Sequence, residues 1–268
     1  MELKDKVVLI TGASSGIGKA LVQESFRLGA KVVLAARNEK GMKEAVEGQP
    51  ESHYLIVPSD VAREDDCRRL ADQAAAHFGG IDVLINNAGI SMRALFADTR
   101  PEVLEKLMQV NFWGAVYCSK HALPWLLQSG GSLVGVSSIA GYKGLPARSG
   151  YSASKFALQG FLESVRIENM KKGLHVLIAC PGFTASNIRK TALAKDGSVQ
   201  GESPRDEDQM MSAETVACHI MKAVSKRKRT LILTRQGKLT VLLNKFFPAW
   251  TDKLVYNHMA REPESPFK

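Results

Sequence analysis

Cysteine is scarce in this 268-residue chain. The four present, Cys67, Cys118, Cys180 and Cys218, stand far apart, with no CxxC pair and no histidine cluster beside them. That spacing argues against a disulfide framework and a zinc site, so no metal is expected. It fits reduced, buried thiols in a reducing compartment. No run of about 18 apolar residues occurs, which excludes a classical spanning helix from expectation. The opening "MELKDKVVLITG" runs straight into a strand pattern, so no signal peptide is expected ahead of the fold. Internal repeats and low-complexity linkers are lacking too. Acidic residues are thin at one end only. Residues 219–268 carry 11 Lys and Arg against 3 Asp and Glu, whereas residues 1–218 carry 25 against 24. The net charge of +9 therefore belongs to the C-terminal segment. No nucleic-acid-binding motif accompanies these basic residues, and a nucleic-acid partner is not expected.

What is present is a core-forming chain, 45% hydrophobic and 24% charged. Short apolar runs recur: "KVVLIT" (6–11), "KVVLAA" (31–36), "HYLIVP" (53–58), "IDVLIN" (81–86), "GSLVGVS" (131–137), "LHVLIAC" (174–180) and "TLILT" (230–234). Each is too short and continuous for an amphipathic helix and reads as a strand buried on both faces. Helical stretches alternate with them, at 16–29, 64–78, 101–128, 151–172 and 212–225. The alternation predicts an α/β fold with a doubly wound, mainly parallel seven-stranded sheet and helices on both faces. Residues 1–238 are expected to form one domain. The polar loop at 183–211, with Gly197, Gly201, Pro204 and the charged run "RDEDQ" (205–209), is the candidate substrate lid.

Two local patterns point to chemistry. In "VVLITGASSGIGKA", Gly12, Gly16 and Gly18 lie between a strand and a helix, where glycines permit a tight turn and free amides favour a pyrophosphate. The spacing is GxxxGxG, and the expected contacts are Gly12, Ser14, Ser15, Gly16, Ile17 and Gly18. The second strand then ends in Ala36, Arg37 and Asn38, with no carboxylate until Glu39. A carboxylate there would bind a ribose 2′-hydroxyl; an arginine fits a 2′-phosphate. NADP(H) is therefore expected in preference to NAD(H). In "SGYSASKFA", Tyr151 and Lys155 are four apart, neighbours on one helical face. A nearby ammonium is expected to lower the phenol's pKa and make an acid–base pair.

Taken in order, "TGASSGIG" (11–18), "NNAG" (86–89), Asn111, Ser138 in "VSSIAG", "YSASK" (151–155) and "PG" (181–182) resemble the short-chain dehydrogenase/reductase superfamily over about residues 5–235. The resemblance implies a Rossmann-type fold and hydride transfer between a nicotinamide cofactor and a carbonyl/secondary alcohol pair. It implies Tyr151 as acid/base and Lys155 as the group that lowers its pKa and holds the nicotinamide ribose. Ser138 would bond the reacting oxygen, and Asn111 would interrupt a helix and support a proton relay. Ser137 is expected on the opposite side of its strand. For the cofactor it implies Asp60 and Val61 at adenine, Asn87, Ala88 and Gly89 beneath it, Pro181 and Gly182 facing the nicotinamide, and Thr184 and Ser186 near the carboxamide and phosphates. It further implies a homodimer or homotetramer through helices at 112–128 and 151–172. The substrate walls are expected at Ser91–Phe96, Ile139–Leu145 and the 183–211 loop, suiting a moderately hydrophobic carbonyl or alcohol. A non-enzymatic NADP-binding regulator on the same fold is the competing class, and a membrane-surface lipid or steroid reductase is a third.

Residues 239–268 read as a basic amphipathic extension. Apolar residues at 239, 242, 243, 246, 247 and 250 form one helical stripe, broken or kinked at Pro248; the end, "REPESPF", reads as loose. The stripe suits packing on the body, a cover for the substrate mouth, a second subunit or an anionic membrane surface. The expected location is cytoplasmic, or membrane-associated in the last case.

Overall fold

The computed structural model describes residues 1–203 and 210–267. Pro204 and the 205–209 run lie outside the described residues. The strands are β1 (Val7–Thr11), β2 (Lys31–Ala36), β3 (Tyr54–Pro58), β4 (Val83–Asn86), β5 (Ser132–Val136), β6 (His175–Cys180) and β7 (Thr230–Ile232). They form a single sheet in the order β3-β2-β1-β4-β5-β6-β7, and every pairing is parallel. The chain winds outward from β1 in one direction and from β4 in the other. A crevice opens where those two strands part, at their carboxyl ends.

Alternate strand residues feed two cores. Val8, Ile10, Val32, Leu34, Val83 and Ile85 pack under α1 (Gly16–Arg27) and α7 (Ala213–Ser225). Val7, Leu9, Val33, Leu84 and Leu133 face α3 (Glu64–Phe78), α5 (Gly114–Gln128) and α6 (Ser149–Glu168). Burial on both faces is why the strands read as unbroken apolar runs. Each fully buried aliphatic side chain contributes about 1.5–3 kcal/mol of transfer free energy.

Several expectations are refined. The 101–128 stretch is not one helix: α4 (Pro101–Met108) leads into a π-helical turn (Gln109–Trp113) before α5. A short helix, α2 (Glu39–Ala45), was not anticipated. Cys67, Cys118 and Cys180 are buried, but Cys218, on the outer side of α7, is exposed. The extension forms α8 (Arg235–Phe246) and α9 (Pro248–Ala260), with Pro248 opening the second helix, where its missing amide costs nothing. The last segment is not loose throughout, because Glu262 and Ser265 are buried.

Candidate active site

The carboxyl ends of β1, β4, β5 and β6 open into a cavity of about 1780 Å³. On one side is the glycine turn. Gly12 and Gly16 have φ of 67° and 51°, a conformation other residues rarely adopt. A Cβ at Gly18 would lie 2.0 Å from the Gly12 carbonyl, so only glycine lets α1 start this close to the turn. Ser15 precedes α1 without a side-chain cap, and no acidic residue occupies the first turn. The result is a bare helix N-terminus facing the cavity, suited to an anion.

Thr11 anchors this turn. Its hydroxyl accepts from the amides of Asn87 and Ala88, both at 3.0 Å, while Asn87 Nδ2 donates to the Thr11 carbonyl at 2.9 Å. Thr11 was not singled out from the sequence; its place at the head of the glycine motif was the available signal. Arg37 is exposed on the cavity rim. Asn38 caps α2, accepting from Gly41 N at 3.1 Å. Asp60 accepts from Ala62 N at 3.0 Å, and its own amide donates to Asp66 at 2.9 Å, the leading cause that holds the Asp66 carboxyl below its usual range. Ser186 stands opposite the turn: a Cβ on Gly16 would lie 3.2 Å from Ser186 Cβ. Thr184 donates to the Gly182 carbonyl at 3.1 Å, and Gly182 packs where a Cβ would come within 2.7 Å of Thr234 Oγ1. Gly12, Ser14–Gly18, Arg37, Asn38, Asp60, Val61, Asn87–Gly89, Pro181, Gly182, Thr184 and Ser186 line the cavity, and Thr11 supports them from behind. An extended dinucleotide fits such a cradle: a glycine turn with no room for side chains, an uncapped helix start and a long polar-to-apolar trough.

Opposite the turn, α6 carries Tyr151 in its first helical turn and Lys155 one turn later. Ser138, just beyond β5, accepts from Ala140 N at 3.2 Å, and its hydroxyl stands close enough to the Tyr151 phenol to act on that group's pKa. Lys155 is buried, and its Nζ donates to the Val136 carbonyl at 2.9 Å. Asn111 sits in the π turn, a local widening that swings its side chain inward. A Cβ on Gly89 would lie 3.2 Å from Asn111 Oδ1 and 3.4 Å from Lys155 Nζ, so both groups flank that glycine. Ser137 points away from the cavity-side hydroxyl of Ser138, toward α6: it accepts from Gln159 Nε2 at 2.9 Å and donates to the Lys155 carbonyl at 3.4 Å.

The electrostatics differ from the expectation in one respect. The Tyr151 phenol is raised by burial, not lowered; the Ser138 hydroxyl and the charges of Arg148 and Arg189 act against that rise. Lys155 is itself pushed down to about 8 by burial. Its Nζ lies 5.7 Å from the Tyr151 ring centroid, and desolvation dominates both groups.

The substrate side of the cavity is mainly aliphatic. Ser91, Ile139, Leu145 and Phe183 line it as expected, but Phe96 is 70% exposed and points elsewhere. The 183–211 loop is strapped to the segment after β4, pairing Leu193 with Met92. A wall that sequence reasoning left open comes from α8 and α9: Leu239, Leu243, Leu254, Val255 and Met259. Asn244 Nδ2 donates to the Tyr142 carbonyl at 3.0 Å, and Lys143 pairs with Asp252, so the extension lies across the mouth.

The chain is similar to known proteins over most of its length. The short chain dehydrogenase family model matches residues 6–197. The chain is 37% identical over 239 residues to mouse "Dehydrogenase/reductase SDR family member 7B", covering 87% of this chain and 74% of that one. It is 36% identical over 270 residues to "11-beta-hydroxysteroid dehydrogenase A" of Arachis hypogaea, covering 94% and 75%. A short-chain dehydrogenase from Streptomyces avermitilis superposes with a TM-score of 0.81 at 26% identity, covering 96% of this chain and 98% of that one. With its cofactor cradle facing a Ser, Tyr and Lys set, the chain belongs to the short-chain dehydrogenase/reductase family.

Proposed function

We propose that this oxidoreductase uses NADP(H) to interconvert a moderately hydrophobic ketone and its secondary alcohol. The observation that carries this reading is the convergence of Ser138, Tyr151 and Lys155 on the cavity that the glycine turn opens into, with Asn111 buried behind Gly89 close to Lys155. When bound, the dinucleotide supplies or accepts the hydride. Gly12–Gly18 and the α1 N-terminus would hold its pyrophosphate, Asp60 and Val61 its adenine, Asn87–Gly89 its underside, Lys155 its ribose, and Pro181, Gly182, Thr184 and Ser186 its nicotinamide end. Arg37, with no carboxylate beside it, favours the 2′-phosphate.

In the reductive direction Tyr151 gives its proton to the carbonyl oxygen, and Ser138 holds the same atom. A phenol kept protonated by burial is already in the donor state at neutral pH. Lys155, with its lowered proton affinity, returns a proton through solvent beside Asn111. The aliphatic far wall suits a substrate with a sizeable apolar body. A panel of ketones and secondary alcohols followed by NADPH absorbance tests this. Tyr151→Phe should keep NADPH binding and lose at least tenfold in turnover. Turnover retained in that variant would leave the phenol without its role, and no turnover on any substrate would favour the regulator alternative.

The same reading includes a homo-oligomer and a cytoplasmic site of action. Exposed Trp113, at the end of the π turn just before α5, and Phe156 and Ile167 on α6 supply an apolar face for a second copy; a monomer in sedimentation would remove this part. A membrane-peripheral reductase is the second reading, and a specific feature favours it. Leu239, Leu242, Phe246, Phe247 and Trp250 are each more than half exposed, among Lys238 and Lys245. Among the described residues no helix is long and apolar enough to cross a membrane, so contact would be at the surface. Flotation with anionic vesicles decides it.

A further inference from the structure

We infer that Glu262 is a positioning residue that fastens the C-terminal tail across the substrate cavity by clasping Arg93 and Arg148. Three separate segments meet at this carboxylate. Arg148 Nη2 lies 3.2 Å and 3.4 Å from its two oxygens, and Arg93 Nε lies 3.8 Å from one of them. All three side chains are withdrawn from solvent, at 10% (Arg148), 7% (Arg93) and 4% (Glu262) exposure. Burying an acid and two guanidiniums costs several kcal/mol per ion unless they find one another, so the pairing is part of the tail's fold and not a surface accident.

Each partner stands where the site is made. Arg148 is the residue before α6, and its carbonyl accepts from Ser152 N at 2.8 Å in the turn that presents Tyr151. Arg93 follows Met92, and its amide donates to the Leu193 carbonyl at 2.9 Å, tying it to the 183–211 loop. Its guanidinium also donates to the Pro263 carbonyl. Glu262 comes two residues after α9, so the clasp holds the end of the helix that supplies Leu254, Val255 and Met259 to the cavity wall. Most of the outward side of α9 is exposed, Trp250 at 53% and Tyr256 at 52%. The wall's position therefore leans on its two ends: the Lys143–Asp252 pair at the start and Glu262 at the finish.

This rests on the proposed ketone site for its kinetic consequence, but not for its structural one. The test therefore has two arms, both on the full chain. Backbone amide exchange across 251–260, read by mass spectrometry without substrate, should quicken at least tenfold in Glu262→Gln and in Arg93→Met. It should fall back toward wild type in Glu262→Asp, which keeps the charge. In the second arm, KM for the best ketone should rise at least fivefold in Glu262→Gln while kcat changes less than twofold, with KM recovering in Glu262→Asp. NADPH affinity should hold, since the cofactor cradle is on the other side of the cavity. Exchange within twofold of wild type in both Glu262→Gln and Arg93→Met would overturn the clasp. So would a kcat loss with KM unchanged, because the tail would then not be shaping the substrate wall. If no ketone is turned over, the exchange arm still decides the clasp while the activity reading fails separately.

Discussion

Asn111 and Ile90 exchange two hydrogen bonds: Ile90 N donates to Asn111 Oδ1 at 2.8 Å, and Asn111 Nδ2 donates back to the Ile90 carbonyl at 2.9 Å. The amide imitates a neighbouring strand at the point where β4 has ended and the chain passes beneath the cavity. The same Nδ2 donates to Ser154 Oγ at 2.9 Å, one residue before Lys155. Asn111 thus joins the loop after β4, the π turn and α6. Asn111→Leu removes the partners of a backbone N–H and a carbonyl together, at a site only 1% exposed. Each group left unpaired costs about 1–3 kcal/mol, so an overall loss of about 2–4 kcal/mol is expected in urea unfolding of the apoprotein. A change below about 0.5 kcal/mol would mean that solvent replaces the amide and that its role is not architectural.

Lys155 should make stability depend on alkaline pH. Its pKa in the fold is about 8, against an ordinary value of 10.5. Above 10.5 the group is neutral in folded and unfolded chains and contributes no penalty. Between 10.5 and 8 the unfolded chain binds the proton first, so stability falls as pH falls; below 8 the penalty is complete. Lys155→Met removes the buried charge and loses a hydrogen bond to Val136. The apoprotein variant is expected to be more stable than wild type at pH 7, by on the order of 1–3 kcal/mol, with the gap narrowing from pH 8 to 10. Urea melts at three pH values check this; a gap that does not change with pH would show the amine to be solvated.

Much of this was legible in the residues, and the gaps have physical reasons. The seven runs announced the strands because each is buried on both faces, leaving no polar interruption. Tyr151 and Lys155 were placed together by helical spacing alone. The direction of the phenol's shift was not, because spacing carries no information on how dry the space between two side chains is. The π turn was invisible in pattern, since Gln109–Trp113 continues the periodicity of the helix around it. Glu262 sat in a Pro-rich end that read as loose; its two arginine partners are more than a hundred residues away, and no local signal joins them. The α8–α9 stripe was recognised as apolar, but its division between a cavity wall and an exposed rim depends on how the pair of helices rolls over the mouth.

Gly18→Ala should uncouple the cradle. The added methyl would meet the Gly12 carbonyl at 2.0 Å, a backbone group that cannot yield, and Asn87 Nδ2 at 2.7 Å, a side-chain amide held by the Thr11 carbonyl. The turn or α1 must move, at a cost of about 1–3 kcal/mol. The movement displaces the amides that would meet a pyrophosphate. Dinucleotide affinity is expected to drop at least tenfold in calorimetric titration, for NADP(H) and NAD(H) alike, since both carry that group. Wild-type affinity in the variant would show that the turn is not where the phosphates sit.

Arg37→Ala should separate the two cofactors. Arg37 is exposed on the cavity rim directly after β2, beside Ala36 and the capping Asn38. Positions 36–38 carry no carboxylate to receive a ribose hydroxyl, and the guanidinium is shaped for a two-point contact with a phosphate. A charge-assisted contact of this kind is worth roughly 1.5–3 kcal/mol. Its loss is expected to weaken NADP(H) by about ten- to a hundredfold, while NAD(H), lacking that phosphate, changes little. The pair Ala36→Asp with Arg37→Ala should then tighten NAD(H), because the new carboxylate supplies the missing acceptor for the 2′-hydroxyl. Calorimetric titration of both cofactors against wild type and the two variants reads all three effects. Equal losses for the two cofactors in Arg37→Ala would place the arginine among structural residues of the rim and end the case for a 2′-phosphate preference.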